Sequence, residues 1–95
     1  MKKINEFIIR EVAGEYVAVP VGKTTERFNG MITLSETGAF LYEHMEQAES
    51  FEALIAMLRA EYEVDEETAV RDAVYFINQM LRAGMAALSD PEKNW

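Results

Sequence analysis

Ninety-five residues, 49% hydrophobic and 27% charged, suit one compact globular core and leave no room for a deep cleft between two lobes. A formal charge of −8, from nine Lys and Arg against seventeen Asp and Glu, repels nucleic-acid phosphates and anionic membrane surfaces and favours a basic or apolar partner. With no cysteine there are no disulfides, thiol nucleophiles or thiolate metal sites, and charges interrupt the opening residues before a signal peptide or membrane span can be read, which makes the cytoplasm the default location.

The chain changes character near Leu34, from β-branched and aromatic stretches to Ala, Leu, Met and Glu at helical spacing. Residues 7–13 alternate, with Ile8 and Val12 interleaved with Arg10, and predict a strand. Gly14-Glu15 supplies a two-residue turn into a second strand over 16–21. Pro20 cannot donate to a ladder, which places that strand at an edge or ends it there. A polar loop over 22–27 follows. Residues 28–34 then put Phe28, Gly30, Ile32 and Leu34 on one parity and Asn29, Met31 and Thr33 on the other, a third, half-buried strand.

Ser35 is placed to cap a first helix over about 36–47, with Phe40, Leu41, Tyr42 and Met45 on its apolar side. Ser50 caps a second, in which Phe51, Leu54, Ile55 and Leu58 fall at i, i+3, i+4 and i+7. Asp65 caps the third and longest, with Glu66 and Glu67 against its positive end. Its core stripe reads as Val70, Ala73, Val74, Ile77 and Leu81, and Gly84 stops it. Residues 85–88 suit a short closing strand and 89–95 a tail. Three antiparallel strands followed by three helices predict an α+β domain of winged-helix type, one domain over 1–95 with its core at about 7–88.

Several of these stretches together are similar to the PqqD-like family. They are residues 7–14, 16–22 and 28–30, the segment Leu34-Ser35-Glu36-Thr37-Gly38-Ala39-Phe40-Leu41-Tyr42-Glu43, then 72–77 and 81–84. The segment from Leu34 looks like the family's Leu-Asn-Glu-Thr-Gly-Ala-x-x-Trp-Glu signature, with Ser35 where Asn is commoner and Tyr42 where Trp is commoner. Glu36-Thr37-Gly38-Ala39 resembles the stand-alone branch more than the pyrroloquinoline quinone pathway protein, which tends to have Glu-Ser-Ala-Gly there. The resemblance implies a non-catalytic recognition element with no cofactor. Such an element binds the leader of a ribosomally made precursor peptide beside the third strand and presents it to a radical-SAM maturase or other modifying enzyme.

An exposed edge strand offers unpaired N–H and C=O groups that an extended peptide can satisfy. On the implied mode, the binding residues are Phe28, Asn29, Gly30, Met31, Ile32, Thr33 and Leu34 of the third strand. Facing them on the third helix are Arg71, Asp72, Tyr75, Phe76, Gln79 and Met80. Gly30 and the small Thr33 admit a close backbone; Arg71 and Arg82 suit an acidic leader residue and Asp72 a basic one. From helical spacing alone, Tyr75, Phe76 and Met80 read as core before pocket. The same free edge is compatible with a homodimer.

The other motifs carry less. His44 has no catalytic or metal-binding partner in the sequence, and Asp65, Glu66 and Glu67 are explained as helix N-terminal acids. Gly22-Lys23-Thr24 lacks the upstream glycine of a phosphate loop, since position 17 is Val. No nucleophile, base pair or metal set stands out, so an enzyme is the weakest reading. The alternatives are the pyrroloquinoline quinone pathway protein itself and a winged-helix transcription regulator. The latter would have to dock a third helix bearing Asp65, Glu66, Glu67 and Asp72 against only Arg71 and Arg82.

Overall fold

A computed structural model describes residues 1–28 and 30–95. Strands β1 (Lys2–Lys3), β2 (Phe7–Val12), β3 (Glu15–Pro20) and β4 (Ile32–Leu34) precede helices α1 (Glu36–His44), α2 (Phe51–Glu61) and α3 (Glu66–Ala83), and β5 (Ala86–Ala87) follows. The antiparallel sheet β2-β3-β4 and the three helices make the expected α+β fold.

The β2–β3 turn is Ala13-Gly14, one residue earlier than the glycine suggests, because Val12 pairs with Glu15. Both turn residues have positive φ, 53° at Ala13 and 83° at Gly14. That is a type I′ turn, whose twist matches the flanking strands. β3 is the middle strand, not an edge. Pro20 is tolerated because it ends the strand, two residues beyond the last β3–β4 pair, Ala18 with Ile32.

The third strand of the sheet is only Ile32–Leu34. Phe28 is a half-buried core residue instead, its ring edge-on to Phe7 at 5.0 Å. Gly30 turns the chain at φ 82° and Met31 stands exposed, so the strand cannot begin before Ile32. Asn29 lies outside the described residues. The preceding loop is wound into a 3-10 turn, Gly22–Glu26, where buried Thr24 accepts a hydrogen bond from the Glu6 N–H at 2.7 Å. No phosphate-loop geometry remains there.

Ser35 and Ser50 cap α1 and α2 as expected, each hydroxyl accepting from an N–H three residues on at 3.0 Å. α1 ends at His44, three residues short of the expectation. The His44 ring stacks on Phe40 at 4.1 Å, and its Nδ1 lies 2.8 Å from the Phe40 carbonyl. Asp65 stands at the N-cap of α3 without a capping bond to the backbone, and the Thr68 hydroxyl lowers its carboxyl pKa. Gly84 closes α3 in the left-handed region, its N–H reaching Leu81 O and the Met85 N–H reaching Met80 O, a Schellman cap.

The buried stripe of α3 is Ala69, Ala73, Phe76 and Met80, turned by about one residue from the expected one. Val74 and Leu81 are exposed, and Val70 and Ile77 only partly buried. Two alanines let the helix sit close on α1 and α2, while Phe76 and Met80 fill the space beyond. The core proper adds Leu41, Tyr42, Met45, Leu54, Leu58 and Met85. Each such side chain contributes about 1.5–3 kcal/mol of burial.

Two further pieces lie outside the expected core. β1 pairs with β5, Lys2 opposite Ala87 and Lys3 opposite Ala86. The expected tail packs down: Trp95 is buried, its indole N–H donates to the Ala48 carbonyl at 3.0 Å, and its ring meets Phe51 edge-on.

Two substitutions test this packing by urea unfolding. Ala13→Asn, better suited to the left-handed region, is expected to gain about 1 kcal/mol. Trp95→Ala is expected to lose about 3–5 kcal/mol, whereas a true tail residue would cost nothing.

Candidate functional site

The free edge of the sheet is defined by backbone alternation. In an antiparallel pair, successive residues turn their N–H and C=O groups first to one neighbour and then to the other. The two-residue turn closes on the Val12–Glu15 pair, so Glu15 and Val17 face β2 while Tyr16 and Ala18 face β4. Tyr16 pairs with Leu34 and Ala18 with Ile32. Thr33 therefore directs its own N–H and C=O away from the sheet. Among the described residues, no strand pairs with β4 on that side.

What lies there is α3. The hollow between them has a volume of about 480 Å³ and is lined by Thr33, Leu34, Ser35, Thr37, Gly38, Asp72, Tyr75, Phe76 and Gln79. Phe28 packs near Gly84, where a Cβ would come within 3.5 Å of its ring, while Ser35–Gly38 share the hollow with Asp72 and Phe76. β4 and α3 thus run antiparallel with a groove between them. A shallower hollow continues it along α3, lined by Tyr75, Asn78, Gln79, Arg82 and Ala83.

Of the residues expected in a peptide site, the groove brings together Thr33, Leu34, Asp72, Tyr75, Phe76 and Gln79. It does not include Phe28 or Ile32, which face the core, nor Gly30 and Met31, which lie before the strand. Met80 is fully buried under α3 and cannot touch a ligand there. Arg71 points to solvent, 3.8 Å from Asp72 in an exposed ion pair. Tyr75 is 71% exposed and Phe76 3%: the first is a free ring on the rim, the second a core residue that shows one edge. Ser35, Thr37 and Gly38 line the groove although they read in the sequence as cap and first turn. Their place in the Leu34–Glu43 signature was the available signal.

Gly38 has a steric reason to be glycine. A Cβ there would come within 3.1 Å of the capping Ser35 Oγ and 3.5 Å of the Phe76 ring. The surface beyond α1 is acidic. Glu11, then burial, Glu36 and Glu43 raise the Tyr16 phenol pKa, while burial and then Glu36 raise that of Tyr62. Among the described residues no acidic or histidine cluster could hold a metal ion, and no helix is long and apolar enough to cross a membrane. A larger hollow of about 570 Å³ on the other flank of α3 is lined by Phe51, Val74, Ile77, Leu81 and Trp95 among others.

The model of one protein family, described as coenzyme PQQ synthesis protein D (PqqD), matches residues 15–86. Among curated protein sequences, none matches significantly. Among solved structures, the fold is similar to that of TbiB1 in complex with the TbiA(beta) leader peptide. The TM-score is 0.64 at 20% identity, over 95% of this chain and all of that one.

The neighbouring aromatics of α3 should separate rim from core in unfolding experiments. Tyr75→Ala is expected to change stability by less than about 0.5 kcal/mol, and Phe76→Ala to cost about 3–5 kcal/mol.

Proposed function

This chain belongs to the PqqD family, and from that premise we propose that it is a non-catalytic recognition element that binds the leader of a ribosomally made precursor peptide. The observation that carries the reading is the groove between β4 and α3, where Thr33 turns an N–H and C=O that β3 does not use beside a hollow of about 480 Å³. An extended segment laid there becomes a fourth strand and exchanges main-chain hydrogen bonds with Thr33. Each such bond adds only about 0.5–1.5 kcal/mol, and three residues of edge provide few of them. Side chains docking on Tyr75, the edge of Phe76, and Gln79 must supply the rest.

The bound leader would be handed to a modifying enzyme, a radical-SAM maturase being the leading class, in the cytoplasm where the precursor is made. Pairing of two copies through the same β4 edge would compete with the peptide. The likeness to TbiB1, solved with a leader peptide, supports the reading. The Glu36-Thr37-Gly38-Ala39 run favours a modified peptide other than pyrroloquinoline quinone.

Calorimetric titration with leader peptides encoded beside the gene is expected to give saturable binding at micromolar affinity or tighter. Thr33→Pro removes the outward N–H but no β3–β4 bond, and should weaken binding about tenfold or more, while Thr33→Val keeps it. Equal binding by both variants would rule out strand addition at β4.

A further inference from the structure

Main-chain pairing with Thr33 is blind to sequence and permits a strand of either direction, so something else must set which way a peptide lies. The charged side chains that line the groove and its continuation are Asp72 in the first hollow and Arg82 in the second. They stand ten residues apart on α3, about 15 Å along its axis at ~1.5 Å per residue. An extended chain covers that distance in between four and five residues at ~3.3 Å each, and residues i and i+4 of a strand point to one side.

Resting on the peptide-binding reading above, we propose that Asp72 and Arg82 act as a polarity gauge. They select an extended segment with a basic side chain at the Ser35 end of the groove and an acidic one, four residues away, at the Gly84 end. Other charges leave this gauge standing. Asp72 has Arg71 at 3.8 Å, but both are well exposed, and an exposed pair of that kind is weak and exchangeable. The positive end of α1 at Ser35 is offset by Glu36 in its first turn and by the serine cap. Arg82 forms no ion pair among the described residues. Tyr75 and Gln79 lie between the two charges and line both hollows, so one continuous segment passes them all.

The test is selection from a phage library of random twelve-residue peptides on the wild-type chain and on the Asp72→Arg, Arg82→Glu double variant. Both positions are on the surface, and unfolding curves check that the variant folds. Wild-type binders are expected to share Lys or Arg spaced four residues from Asp or Glu, in one order, and the double variant to select the opposite order. A selected peptide resynthesised with its two charges exchanged should bind the wild type about five- to tenfold more weakly, the sum of two exposed pairs. Binders without charge order, or the same order on both proteins, overturn the gauge and leave the peptide-binding reading intact. No saturable binder on either protein overturns that reading and the gauge with it.

Discussion

The proposed peptide site depends on the spacing between α3 and β4, which is set by how closely α3 sits on the other helices. Ala69 and Ala73 present almost no side chain to α1 and α2, while Phe76 and Met80 fill the space toward the end of the helix. Gly38 completes the fit, since any larger residue there would press on the Ser35 cap and the Phe76 ring. The packing of α3 therefore leaves a channel beside β4 instead of closing it.

The rest of the fold holds both walls of that channel. The hairpin pins β3, and β3 pins the three residues of β4. The Schellman cap at Gly84 ends α3 beside Phe28 and turns the chain into β5, whose pairing with β1 ties the end of the helix to the start of the chain. The Asn5 amide adds a bond to the Gly84 carbonyl at 2.8 Å. Under the proposed strand addition, main-chain groups on β4 would give an affinity that is small and unselective, and discrimination would fall to the side chains along α3.

Local signals carried much of this fold. Hydroxyl caps at Ser35 and Ser50 and the glycine after Ala83 each depend on chemistry within a few residues, and each appears in the structure as read. The strand expected over 7–13 forms at Phe7–Val12, but Phe7 and Ile9 face the core while Ile8 and Val12 stand exposed. Features set by distant contacts were not legible. The phase of α3 differs from its hydrophobic stripe because alanine carries little hydrophobic signal, while Val74 and Leu81 carry more and face outward. The third strand is shorter than its alternation suggests because Phe28 fits a strand parity but packs against Phe7. Trp95 looked like a tail residue because its partners, Ala48 and Phe51, lie more than forty residues away in the chain. Six of the nine groove residues, Thr33, Leu34, Asp72, Tyr75, Phe76 and Gln79, follow from the family resemblance and not from spacing, which reads Tyr75 and Phe76 alike as core; telling exposed Tyr75 from buried Met80 requires the helix phase.

Amide hydrogen exchange, followed residue by residue with and without a binding leader peptide, probes the strand-addition claim at the atom on which it rests. In the free protein the Ile32 and Leu34 amides, bonded to β3, should exchange slowly and the Thr33 amide rapidly. With peptide bound, Thr33 should become protected while its two neighbours change little. A peptide that binds saturably and leaves the Thr33 amide as exposed as before would contradict the account and place the peptide elsewhere on the molecule.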